Sequence, residues 1–125
     1  MTRIGVINRI PVVPGCRDRV LEVLTRYVDE AREEGVGVAE VLVVGADAED
    51  PNVVWMHETY ADTDVYEDHF HTLARRHMRD GMDGLRGGPV DTIRTEPTVS
   101  SSSRGMFSNP SAARADWNSV VYEVT

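Results

Sequence analysis

The sequence contains no lysine: all 13 basic residues are arginine, set against 21 acids for a formal net charge of −8. It holds a single cysteine, Cys16, which excludes an internal disulfide and a multi-cysteine zinc site. No apolar run approaches the roughly 18–20 residues that a membrane-crossing helix needs, and the N-terminus lacks the basic-then-apolar layout of a signal peptide. The chain therefore reads as cytoplasmic, with no membrane partner. GxGxxG, GxxxxGK[ST] and HExxH motifs are missing, so nothing points to a dinucleotide loop, a phosphate loop or a zinc-protease helix. From residue 98 onward two arginines (Arg104, Arg114) balance two acids (Asp116, Glu123), which leaves the whole negative excess in residues 1–97. Such a surface repels phosphate backbones and carries no basic stripe with interleaved aromatics, so nucleic acid is not an expected partner.

What is present fits one domain. The 125 residues suffice for a single core without disulfide staples. Residues 3–12 alternate: Ile4, Val6, Asn8 and Ile10 share one face, and Gly5, Ile7 and Arg9 share the other, as a strand requires. From Arg17 to Glu34 the period changes, with Val20, Leu24, Tyr27, Val28 and Ala31 recurring at helical spacing until Gly35. Residues 36–45 are β-branched and almost continuously apolar, which predicts a strand covered on both faces. The acidic stretch Asp47 to Asn52, with Pro51 inside it, predicts a hairpin turn. Residues 53–60 predict another strand, with Val53, Trp55, His57 and Thr59 on one face and Val54, Met56, Glu58 and Tyr60 on the other. Asp62 is a natural N-cap for a short helix to about Phe70, and Thr72 caps a second helix through about Arg79. A glycine-rich run follows, then a strand at about 90–96.

The expected order is thus β-α-β-β-α-α-β: an α+β, ferredoxin-like antiparallel sheet with an extra helical turn. Residues 98–125 differ in character and read as an extension of the 1–97 domain: a Ser-rich linker, then Trp117 and an apolar end that predicts one more strand. That segment is expected to dock on the sheet edge or on a partner subunit.

The blocks NRIPVVPGCRDRVLEVL and VVWMHETYADTDVYEDHF resemble the antibiotic biosynthesis monooxygenase family over residues 1–97. The resemblance implies a sheet with helices on one face and a second subunit on the other, forming a homodimeric α+β barrel. A bare apolar sheet face points the same way, because soluble monomers rarely expose so large a patch. It also implies cofactor-independent oxidation of an electron-rich aromatic, polyketide-like small molecule by O2, with no metal, flavin or haem. Polyketide cyclisation and non-catalytic ligand binding are the alternatives on the same fold. A cavity filled by Met56, Met78 and Phe70 would favour the non-catalytic reading.

Within that resemblance His69 is the first catalytic candidate, with Glu58 expected to reach its ring, raise its basicity and fix its tautomer. The competing reading makes the pair a buried lock between helix and sheet. Tyr60 shares the face of Glu58 and would wall the cavity or simply pack. Asn8 lies inward among apolar neighbours, and a buried amide needs partners, so it is a candidate substrate contact. The haem-degrading branch of the superfamily has a tryptophan where this chain has Tyr60, which argues against that chemistry. Phe70 and His77 complete the expected substrate-binding set, His77 otherwise being solvated beside Arg75 and Arg76. Trp55 and His57 should point into the dimer barrel, and His71 to the surface. A fixed metal site is not expected, because His69 and His71 are two apart on a helix and His57 lies on the other sheet face.

Overall fold

Each period change in the sequence becomes a change of element. In the computed structural model, which describes residues 2–98, these are β1 (Ile4–Pro11), α1 (Arg17–Glu34), β2 (Val41–Ala46), β3 (Val53–Tyr60), α2 (Thr63–His69), α3 (Leu73–Gly81) and β4 (Asp91–Thr95). The order matches the expectation. The strands form one sheet in the order β2-β3-β1-β4, with every neighbouring pair antiparallel. Among the described residues no helix is long and apolar enough to cross a membrane. The expected extra strand after Trp117 and its docking lie outside the described residues.

Side-chain chemistry fixes the helix ends. Asp62 accepts a hydrogen bond from the Val65 amide, and Thr72 accepts one from the Arg75 amide, so each satisfies a donor that the first turn leaves free. Helix α1 ends at Gly35 in the left-handed conformation, φ 74°. Glu34, at its last turn, accepts from the Leu73 and Ala74 amides at 2.8 and 2.9 Å, tying the end of α1 to the start of α3. Those two bonds hold its carboxyl below the usual carboxylate range.

One strand departs from expectation. β2 begins at Val41, not near residue 36, and all its residues except exposed Ala46 are half-buried. Residues 35–40 run as a loop because Gly37 takes φ 60° and passes against the His69 backbone, where any Cβ would overlap. β2 is also an edge strand of the sheet. Past it, the Asp47 carboxylate accepts from the Trp55 indole at 2.6 Å and from the Glu49 and Asp50 amides, which fixes the β2–β3 connection. Those three bonds, the indole's first, pull its pKa down to about 2.

The register aligns one continuous face beneath the helices. Asn8 pairs with Met56 and Thr92, Val6 with Glu58 and Arg94, and Leu42 with Glu58. The apolar residues of this face split into two clusters. Ile10, Val54 and Met56 pack with Val20 and Leu24 of α1 and with Met82, whereas Ile4, Val6 and Tyr60 pack with Val65 and Tyr66 of α2. Asn8 on β1 and Glu58 on β3 sit at the step between the clusters, a polar seam across an otherwise apolar face.

Candidate functional site

The seam is where buried polar groups must find partners. Asn8 Nδ2 donates to Glu58 Oε2 at 2.9 Å, and the Tyr60 hydroxyl donates to Glu58 Oε1 at 2.8 Å. Thr92 on β4 donates its hydroxyl to Asn8 Oδ1 at 2.8 Å. The carboxylate and the threonine together fix which way the Asn8 amide faces, since only its nitrogen can donate to Glu58. One of the two Nδ2 hydrogens goes to Glu58.

Electrostatics follows from burial. Glu58 is 4% exposed, and desolvation pushes its carboxyl above the usual value, against the hydrogen bonds and the Arg75 charge that favour the ionised form. Burial, and then the nearby Glu58 charge, pushes the Tyr27 hydroxyl on α1 up to about 12 and raises Tyr60 in the same direction. Both phenols are therefore neutral donors at neutral pH.

Beside the seam lies a cavity of about 550 Å³, within the range of about 300–1,000 Å³ usual for small-molecule sites. Asn8, Ile10, Met56 and Thr92 of the sheet form its floor. Leu24 of α1 and Arg75, Met78, Arg79 and Met82 of the α3 region form the roof, and Asp83, Gly84, Arg86 and Val90 form the rim. Met56 and Met78 are walls of this space and do not fill it, and Phe70 is elsewhere.

The expected contact between Glu58 and His69 is absent. Both Glu58 oxygens are taken by Asn8 and Tyr60, and the Tyr60 ring lies against the His69 ring at 4.8 Å between centroids. His69, 2% exposed, directs Nδ1 to the Tyr66 carbonyl and Nε2 toward Arg75 Nη1 at 3.3 Å. The carbonyl accepts from Nδ1–H, so Nε2 is the acceptor facing the guanidinium. Burial lowers the pKa of this imidazole, which keeps it neutral.

Phe70 closes the α2 end of the same cluster. It is 40% exposed, stacks on His69 at 4.0 Å, and lies 5.0 Å beneath the Arg75 guanidinium. His77 does not reach the cavity. It faces α1, where its Nδ1 meets the Glu30 carboxylate at 2.9 Å. An exposed carboxylate one helix away is a better partner for a surface imidazole than an apolar pocket. His57 and Trp55 lie on the opposite sheet face, as alternation requires, and His71 is exposed.

The residues that sequence reasoning missed are Arg75, Thr92 and Tyr27. Arg75 had a readable signal: with Met78 and Met82 it forms a stripe at three- and four-residue spacing, an arginine on a core-facing ridge. Its Nε is buried with no partner among the described residues. Thr92 carried no such signal, because only the β1–β4 register sets it beside Asn8. Among the described residues no group of three or more His, Cys, Asp or Glu side chains converges on a common point.

Comparison with known proteins agrees with this architecture. The model of the antibiotic biosynthesis monooxygenase family matches residues 3–83. No curated protein matches the sequence. Rv0793 from Mycobacterium tuberculosis is similar in structure, with a TM-score of 0.69 and 19% identity over 81% of this chain and 100% of its own. PA3566 from Pseudomonas aeruginosa gives 0.69 and 20% over 79% of this chain and 97% of its own. A Caulobacter crescentus protein, provisionally described as an antibiotic biosynthesis monooxygenase, gives 0.72 and 17% over 78% and 92%. Identities that low establish the shared fold alone. The family match runs from β1 through α3 and spans every element around the seam except β4, and by it the chain belongs to the antibiotic biosynthesis monooxygenase family.

Proposed function

We propose that this protein is a cofactor-independent oxygenase that oxidises an electron-rich aromatic, polyketide-like small molecule with O2, and that it acts as a cytoplasmic homodimer. The observation that carries the reading is the Asn8 amide, held by Glu58 and Thr92 in the lining of the cavity. An anthrone-type substrate is its own reductant once deprotonated. Its ring CH2 becomes C=O, supplying four electrons; one oxygen atom enters the product and the other leaves as water. The protein need only hold the flat rings, stabilise the oxyanion and accommodate the proton.

The residues suit those tasks. The Asn8 Nδ2–H and the Arg75 guanidinium stabilise the anionic oxygen in a partly desolvated space. Glu58, one hydrogen bond behind Asn8, acts in its ionised form as the buried base, made more basic than usual by desolvation. Tyr60 holds that carboxylate in place. His69 acts through Arg75, which it positions together with Phe70. His77 has no part in this scheme. The open cavity favours a ligand-handling protein over one whose pocket is filled.

The test is turnover of an anthrone by metal-stripped protein with and without oxygen. Oxygen-dependent quinone formation, falling at least tenfold in Asn8→Ala, is expected, a loss of about 1.4 kcal/mol in transition-state stabilisation. Quinone formation that proceeds equally under nitrogen shows that O2 is not the oxidant and overturns the oxygenase reading. A rate no different from buffer alone removes the enzymatic reading.

A further inference from the structure

The cavity reverses the charge of the protein that holds it. The chain has 21 acids and 13 arginines, yet the cavity is lined by three arginines, Arg75, Arg79 and Arg86, and one acid, Asp83. The three differ in state. Arg75 is half-buried, faces the Glu58 charge and is braced by His69 and Phe70, so its charge is already part of the seam. Arg79 and Arg86 are exposed, and among the described residues neither makes an ion pair or a side-chain hydrogen bond. Other arginines on or beside the sheet are engaged: Arg3 with Glu40 at 2.9 Å, Arg9 with Asp50 at 3.9 Å, and Arg94 over the Tyr66 ring at 4.9 Å. Asp83 shares the rim with Arg79 and Arg86 without bridging to either.

The remaining lining is apolar and adaptable. Met56, Met78 and Met82 offer polarisable walls suited to flat rings of imprecise outline. A pocket with an apolar interior and free guanidiniums at its rim matches a ligand with rings at one end and an anion at the other. A planar guanidinium accepts a carboxylate in two parallel hydrogen bonds, and field lines focused by low-dielectric walls draw the anion to the opening despite the overall negative charge.

We propose that the ligand of this cavity is a carboxylated aromatic, its rings against the methionines and its carboxylate paired with Arg79 and Arg86 at the rim. The inference rests on the cavity being the substrate site, as proposed above, and not on the oxygen chemistry assigned to it.

Binding of two matched probes to the full chain tests it, for example by calorimetry: anthraquinone-2-carboxylate and its uncharged primary amide. The acid is expected to bind at least tenfold more tightly than the amide. That preference is expected to weaken with added salt and to vanish in the double variant Arg79→Gln, Arg86→Gln, whose exposed positions leave the core untouched. Equal affinity for the two probes, binding of neither, or a preference that survives in the double variant overturns the proposal. Because no turnover is read, a retained preference in a protein that fails to oxidise anthrones supports this inference and strikes the oxygenase reading alone.

Discussion

At the scale of single residues, the seam was half legible. Strand alternation alone put Asn8, Glu58 and Tyr60 on one face, and the apolar surroundings required that the two shorter polar groups be paired. What alternation does not carry is which partner wins. Tyr60, two residues from Glu58, and Asn8, on the adjoining strand, occupy both carboxylate oxygens, so His69 is left to the Tyr66 carbonyl and Arg75. Glu58 makes this arrangement testable. Its folded-state pKa lies above the usual 4.5, so the native state holds the proton more tightly than the unfolded chain does. Stability from this group is fully present below 4.5 and is lost as pH rises toward the elevated folded value. Urea unfolding of wild type from pH 4.5 upward should show a downward slope approaching, at most, about 1.4 kcal/mol per pH unit for one proton. The Glu58→Gln variant should lack that component. Superimposable pH profiles for the two proteins would refute the assignment.

At the scale of elements, the strands and helices with clean periodicity fell where the pattern placed them, and β2 did not. An uninterrupted β-branched run has no period to mark its start, so the sequence could not say that residues 35–40 form a loop. The cause is a backbone approach that hydrophobicity does not encode. Gly35 and Gly37 both adopt positive φ, 74° and 60°, but a Cβ on Gly35 would meet nothing within 4 Å, whereas one on Gly37 would collide with the backbone at Asp68 and His69. The two therefore separate conformational strain from overlap. Gly35→Ala should cost about 1–2 kcal/mol, the left-handed penalty for an L residue. Gly37→Ala should cost at least about 1 kcal/mol more, because α2 must move away from the loop. It should also disturb the His69 and Arg75 cluster. Equal losses in chemical denaturation would mean that the loop yields freely and does not position α2.

For the whole molecule, the unresolved demand is the second face of the sheet. The helices cover Asn8, Met56 and Glu58, while the alternate residues Ile7, Val43, Trp55, His57 and Ile93 share the face turned away from them. Ile93 is 56% exposed, and the buried His57 Nε2 has no partner among the described residues. A β-branched residue left in water at the middle of β4 forgoes transfer free energy that a second, identical face would recover, with no new sequence feature required. The sequence made this demand visible through alternation but did not identify what meets it, since a partner subunit and the chain's own extension both satisfy the same pattern. Sedimentation equilibrium distinguishes them. Wild type at micromolar concentration should behave as twice the 13.9 kDa protomer, and Ile93→Glu should weaken self-association at least tenfold by placing like charges across a two-fold axis. A stable 13.9 kDa species in wild type would show that a copy of this chain is not what covers the sheet.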